Sequence, residues 1–297
     1  MKRFCAVFAA ILIFAGVGAD AAGELPLRET FESAGASVAW NGGAQPSITM
    51  DYQKVRFEFT VGSNELSVDG STYKMEEPVV VQDDTSYISP DTVELADNLV
   101  LYHNAVVDAM QADYDEILPL RAIDKTQDEV LVATWHRYPE SYPAGQEAEI
   151  SHGEVWVFTA EEIKEWGAKQ TETDHMELRL QQLIGLPPQK GYTHFSLLWV
   201  DPDDLFRPSP DNEIDDTTVG LSFPENVAEE YQNWFNGNIL YSYYPLRYPW
   251  TRLGYTYDWA DNGTEYGLSE FIIRNNAKVR VEKTYSNEEF FDYLVQQ

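Results

Sequence analysis

Cys5 is the only cysteine in the 297-residue chain, and it lies inside an apolar run close to the N-terminus. No other feature constrains the fold as much. Whatever follows that run must hold together without a disulfide, on buried apolar surface and hydrogen bonds. The run itself, FCAVFAAILIFAGVG, follows Lys2 and Arg3 and leads to the small-residue stretch Ala19-Asp20-Ala21. A charged start, an apolar middle and an A-x-A site read as a secretory signal peptide over residues 1–21, with cleavage near Ala21 or Ala22. The apolar stretch is shorter than the ~20 residues that cross a bilayer, and no later segment approaches that length. The expected location is extracytoplasmic, either secreted or in the periplasm or cell envelope, with no transmembrane segment in the mature chain.

Charge narrows the partners. Acidic residues number 50 against 20 basic ones, a formal net charge of −30, and the leader removes Lys2 and Arg3 but only Asp20. Nucleic acid and anionic membrane surfaces are poor partners for such a chain, because both are held by clustered Lys and Arg. Loss of Cys5 with the leader also removes thiolate catalysis and Cys-ligated zinc. The remaining composition, 43% hydrophobic and 13% aromatic, supports a sizeable core rather than disorder.

The fold class read from the pattern is α+β, with a small N-terminal module of short antiparallel strands and one or two helices, then a larger mixed α+β domain. In residues 24–96, LPLRETFESAG has helical spacing and ends at Gly35. SVAW, SITMD, VRFEFTVG and ELSVDG alternate as strands between Gly and Asp turns. Residues 97–114 read as a helical linker. The second domain, 115–297, shifts toward Trp, Tyr and Pro. Its predicted strands are EVLVATW, EVWVF, HFSLLWV, NILYSYY, LSEFII and KVRVEKT. Capping boxes are predicted at Thr159/Glu162, Asp174/Glu177 and Ser286/Glu289, and a helix PENVAEEYQNWFNG is expected to stop at Gly237.

The first segment carries a family resemblance. LPLRETFESAGASVAWNGG, the strand VRFEFTVGS, the hairpin ELSVDGSTYKM and EPVVVQDDTSYISPDTVELA together resemble the copper amine oxidase N-terminal-like domain. The resemblance implies a module that stands apart from a catalytic domain and also occurs in secreted proteins without any oxidase. An oxidase would need an Asn-Tyr-Asp/Glu-Tyr segment for its cofactor tyrosine and a His-x-His copper pair. The sequence contains neither, so copper and amine oxidation are not expected.

No Walker A loop, GxGxxG, HExxH or GxSxG occurs. GLSEF has Phe271 where a nucleophile elbow needs its second Gly. The acidic loops DPDDLF, DNEIDD and DWADNGTEYGLSE are calcium candidates, although none keeps the EF-hand ligand register and solvated turns explain them as well. Candidate catalytic residues are His136 and His194, at strand ends beside aromatics, Arg207 and Arg252, within Pro-aromatic segments, and Glu270. For the two arginines the competing expectation is an internal ion pair.

YPWTRLGYTYDW, Tyr248 to Trp259, is the strongest ligand-binding candidate. Tyr and Trp offer a flat apolar face with a polar edge. Its members Tyr248, Trp250, Tyr255, Tyr257 and Trp259 are the candidate binding rings. Alternation in GYTYDW predicts a core face and a cleft-rim face. Two functions follow. One is an envelope-associated or extracellular binding protein for a glycan, peptide or small anionic ligand. The other is an enzyme sited in the second domain, a hydrolase or a glycohydrolase, whose Arg, aromatic strand and late Glu resemble ADP-ribosyltransferase-like and NAD-glycohydrolase toxins. A two-carboxylate glycosidase is a third expectation, with no pair singled out.

Overall fold

The computed structural model describes residues 23–171 and 174–296. The predicted signal peptide and its cleavage site lie outside the described residues. The chain divides into two compact units, residues 1–104 and 105–297.

The first unit is built from short antiparallel pieces whose side chains alternate as their sequence predicts. Strands β2 (Ser37–Asn41), β3 (Ser47–Tyr52), β4 (Val55–Thr60), β5 (Glu65–Val68) and β6 (Ser71–Lys74) pair in sequence order as a meander. In β3 and β4 the residues Ile48, Met50, Tyr52, Val55, Phe57 and Phe59 are buried, whereas Asp51, Arg56 and Glu58 face solvent. A second sheet orders β1 (Leu25–Pro26), β8 (Thr85–Ile88) and β7 (Val80–Gln82). Helix α1 (Leu27–Ser33) stops where Gly35 adopts a positive φ of 88°, a cost that only glycine avoids. Helix α2 (Pro90–Ala109) contributes Val93, Ala96, Leu99 and Val100 to the same core, and its last turn belongs to the second unit.

The second unit is organised by a seven-stranded, wholly antiparallel sheet. Its strands are β9 (Val130–His136), β10 (Glu147–Glu149), β11 (Val155–Thr159), β12 (His194–Val200), β13 (Leu205–Phe206), β16 (Phe271–Ile273) and β17 (Lys278–Ser286). Their order is β10-β17-β12-β9-β11-β16-β13. VLVATWH and HFSLLWV are apolar nearly throughout because both faces of the sheet are covered. One face packs Ala133, Trp135, Phe195 and Leu197 against α3 (Ala160–Gly167), α4 (Met176–Leu183) and α6 (Asn287–Val295). Phe195 stacks on Trp135 at 4.8 Å and on Phe290 of α6 at 3.9 Å between ring centres. The opposite face packs Val132, Leu198, Val200, Val279 and Val281 under loop residues Ile123, Ile150 and Ile214.

Several local expectations change. NILYSYY is not a strand. It is the second half of α5 (Glu229–Tyr243), which runs through Gly237 with no break. Tyr231, Phe235 and Tyr243 recur on one buried helical face there, so amphipathic packing overrides the strand preference of the Tyr residues and the cost of one interior glycine. LSEFII is two strands, β15 (Tyr266–Ser269) and β16, interrupted at Glu270; β15 pairs with the short β14 (Tyr255–Tyr257).

Helix entrances differ too. The Ser286/Glu289 box is complete. Thr159 caps α3 through the Glu162 N–H, but the Glu162 carboxylate turns away and accepts from both N–H and Oγ of Ser269. Helix α4 begins at Met176 after His175, with no side-chain cap, so Asp174 does not play the role its spacing suggests.

Gly267 marks the tightest backbone approach in the unit. A Cβ there would lie 2.3 Å from the Leu183 carbonyl and 2.6 Å from that of Thr256, and backbone atoms cannot move aside as a flexible side chain can. Gly267→Ala is expected to cost about 1–3 kcal/mol, as overpacking usually does, or to prevent folding. Chemical denaturation checks this, with Gly237→Ala, whose Cβ meets nothing within 4 Å and whose backbone is likewise not at a positive φ, as the open-space control.

Candidate functional site

Strand β11 changes partners along its length. Phe158 and Thr159 pair with Ala133 and Val132 of β9, whereas Val155, Trp156 and Val157 pair with β16. The second half of β9, Thr134–His136, therefore parts from the first half of β11, and both stretches line one cavity of about 990 Å³. Other walls come from α5 (Asn238, Tyr241, Ser242), the turn after α4, the segment Tyr248–Trp250, β14 and Glu270. The volume lies at the upper end of the ~300–1,000 Å³ range in which proteins hold small organic ligands.

The inner wall is aromatic. Trp250 meets Trp156 edge-on at 5.9 Å, Trp234 at 6.3 Å and Phe235 at 4.8 Å. Two polar atoms on this wall are buried and have no hydrogen-bond partner, Nε1 of Trp250 and Oε2 of Glu270. Buried polar groups are nearly always paired, and leaving one unpaired costs about 1–3 kcal/mol. Burial pushes the Glu270 carboxyl up to about 8, so at neutral pH it carries its proton and can both donate and accept.

The other candidate residues divide sharply. His136 also lines the cavity, but both ring nitrogens are engaged. Nδ1 accepts from the Tyr138 N–H, which leaves Nε2 as the donor to Ser196 Oγ at 2.8 Å. The chain continues through Thr284 Oγ1 to the Tyr142 carbonyl. Burial and His194 hold its pKa down to about 4, so this ring is neutral and locked in one tautomer. It has no lone pair left for a substrate proton. His194 does not line the cavity; its Nδ1 contacts Thr193 Oγ1.

The arginines do something the sequence does not suggest. Neither makes the expected ion pair. Arg207 is completely buried and is held by backbone carbonyls: Nε donates to Glu213, and Nη2 to Arg121 and Asp216, while the guanidinium covers the Phe271 ring at 5.0 Å. Arg252, at a positive φ of 62°, donates through Nη2 to the carbonyls of Ala109 and Met110. It thereby satisfies the orphan acceptors at the C-terminal end of α2, where a cation is also favoured by the helix dipole. Neither arginine lines the cavity.

Of the predicted binding rings, Tyr248, Trp250, Tyr255 and Tyr257 line the cavity and Trp259 does not. The expected division of GYTYDW into a core face and a rim face is replaced by burial on both sides: Tyr255, Thr256, Asp258 and Trp259 are each at most 5% exposed. The regular strand is only three residues long, and helices and turns close over both of its faces. Asp258 belongs to a bidentate pair with Arg179 (3.0 and 2.5 Å), and Trp259 Nε1 donates to the Leu186 carbonyl.

The acidic loops serve as turns and pairs. Asp201 caps the short 3₁₀ turn at Pro202–Asp204, and Asp215 pairs with Lys125 at 2.9 Å. Glu265, in the third of these loops, lies with Asp108 and Glu116 so that carboxylate oxygens of the three fall within 4.8 Å of one another, with Tyr257 OH donating to Asp108. Sequence reading missed Trp156 and Tyr192 at the cavity, and Lys190 beside Tyr192. The adjacent cation and ring in QKGYTH was the available signal.

Arg207→Met should lower stability by about 3 kcal/mol or more, because several loop carbonyls lose their donors at once in a dry interior. Urea denaturation reads this loss. Arg252→Met, half-exposed and holding two carbonyls, should cost less, about 1–2 kcal/mol.

Comparison with known proteins reaches the first unit only. No curated protein matches the chain. Residues 23–102 match the family model described as the copper amine oxidase N-terminal domain, so the first unit is similar to that domain in the place where its short strands and α1 predict it.

Proposed function

We propose that this is an extracytoplasmic, envelope-associated or secreted binding protein, and that the second unit holds a small saccharide in the cavity between β9 and β11. The observation that carries this reading is the aromatic lining of the cavity, two of whose residues, Trp250 and Glu270, also keep a polar atom without a partner among the described residues. Sugar rings present an apolar face that packs on Tyr and Trp and hydroxyls that satisfy neutral donors and acceptors. A carboxyl that keeps its proton near neutrality offers both roles without a buried charge. The sequence-level signal peptide supports the location, and the similarity of residues 23–102 supports a modular protein. With no Asn-Tyr-Asp/Glu-Tyr segment and no His-x-His pair, no copper amine oxidase chemistry is assigned to it.

A protonated Glu270 also suits a general acid, which keeps a glycoside hydrolase as the second reading. Binding is preferred because the groups that would complete such a site are committed elsewhere. His136 has no free nitrogen, and Arg207 and Arg252 hold backbone carbonyls outside the cavity.

Oligosaccharide-array screening of the purified protein should show retention. Trp250→Phe, which keeps an aromatic ring but removes the N–H and part of the indole, should weaken binding about tenfold, with melting temperature read alongside to separate the packing cost. Absence of retention on every glycan would end the reading, and turnover of a bound glycan that Glu270→Gln abolishes would replace binding with hydrolysis.

Stability should also carry the mark of Glu270. An ordinary glutamate loses its proton near 4.5 and this one near 8, so between those values the folded chain holds a proton that the unfolded chain has released. That stabilisation is complete at acid pH and is lost as pH rises through 8. The melting temperature of the native protein, measured relative to Glu270→Gln, should therefore fall between about pH 5 and pH 9.

A further inference from the structure

Three tyrosines that line the cavity carry cations on their rings. The Arg137 guanidinium lies 5.4 Å from the Tyr192 ring centre, and Lys190 Nζ lies 5.4 Å from the same ring. Lys190 Nζ also sits 4.8 Å from the Tyr248 ring and donates to its hydroxyl at 2.5 Å. Tyr248 stacks on Tyr241 at 6.1 Å, and Arg247 covers Tyr241 at 4.9 Å. Tyr192, Tyr241 and Tyr248 all line the cavity.

This grouping runs against the electrostatics of the whole chain. Only 20 residues are basic against 50 acidic, yet three of the bases stand along one series of tyrosines. Four other cations of the second unit, Arg121, Lys125, Arg179 and Arg280, sit in ion pairs with carboxylates, whereas Lys164, Arg207, Arg252, Arg274 and Lys283 lie singly over aromatic rings. Arg137 and Lys190 form no ion pair among the described residues. Arg137 Nη2 instead donates to the Lys190 backbone carbonyl at 3.1 Å, which holds the guanidinium beside that segment. The charged groups acting most strongly on Tyr192 and Tyr248 are Lys190, Arg137 and Arg247, with no carboxylate among them. Like charges held together repel, and a bound anion relieves that repulsion while using donors that have no acidic partner.

We propose that Arg137 and Lys190 form an anion subsite at the edge of the cavity, so that the ligand is an acidic saccharide whose carboxylate bridges these two cations while its ring packs on the tyrosines. The inference rests on the saccharide-binding reading above and adds the charge of the ligand. Glu270 and the Trp250 N–H then serve the neutral part of the ligand, and the cations serve its anionic group. Rings stacked under the cations hold them without supplying a competing negative charge.

The test is isothermal titration with a panel of uronic-acid oligosaccharides, each paired with its methyl ester, against the full chain. The acids should bind at least about tenfold more tightly than their esters, the worth of one charge-assisted contact. That preference should shrink as salt is raised. Arg137→Gln and Lys190→Met should each bring the acid to about the affinity that the same variant shows for its ester. Both are surface or rim positions, and circular dichroism and melting temperature confirm folding. Equal binding of acid and ester, or variants that retain the preference, overturns the anion subsite while leaving the cavity reading intact. Binding of neither form by folded native protein, where Trp156→Ala also changes nothing, removes the cavity reading and the subsite with it.

Discussion

The second unit depends on how β11 divides its pairing. Two of its residues bond to β9 and three to β16, so the sheet stays continuous while β9 and β11 separate over half their length. A sheet that remained paired there would leave no room between Thr134–His136 and Val155–Val157. The parting instead opens a cavity inside an otherwise close-packed structure, where voids are normally expensive. The helices and apolar strand faces on either side are rigid enough to keep that gap open. Phe195 between Trp135 and Phe290, and Val132 with Leu198 and Val281 on the other face, fix β9 independently of β11.

Around that gap, long irregular segments must be held without disulfides, and guanidinium groups do much of the holding. Arg207 gathers carbonyls from residues 121, 213 and 216, Arg252 closes the end of α2, and Arg179 grips Asp258. Glu162 plays the complementary part, accepting from both donors of Ser269, whose own Oγ accepts from the Arg121 N–H. Among the described residues, two residues that line the cavity keep a buried polar atom without a hydrogen-bond partner, the carboxyl of Glu270 and the indole N–H of Trp250.

Legibility of the sequence followed the physics of each feature. Alternation in VRFEFT and the punctuated turns around it specify the first unit's meander, because period-two burial and glycine turns are local properties. The apolar runs VLVATWH and HFSLLWV also declare themselves as strands covered on both sides. NILYSYY misleads, since tyrosines favour strands locally while the burial of Tyr231, Phe235 and Tyr243 on one face is decided by what the helix packs against. The candidate site was legible in part. Tyr248, Trp250, Tyr255, Tyr257, Glu270 and His136 all reach the cavity, and His194, Arg207, Arg252 and Trp259 do not.

By itself the sequence determined the division into a small β-rich module and a larger aromatic α+β unit, the lack of a second cysteine to pair with Cys5, and a large excess of acidic residues. Those are consequences of composition and short-range pattern. Only the tertiary structure decided that Arg252 meets carbonyls rather than Asp258 or Glu270, that His136 has spent both nitrogens, and that Arg137 and Lys190 share one tyrosine ring. Each of these depends on groups far apart in the chain. Which donor finds which acceptor is fixed by the packing of strands and helices, and the order of residues does not reveal it until that packing is known.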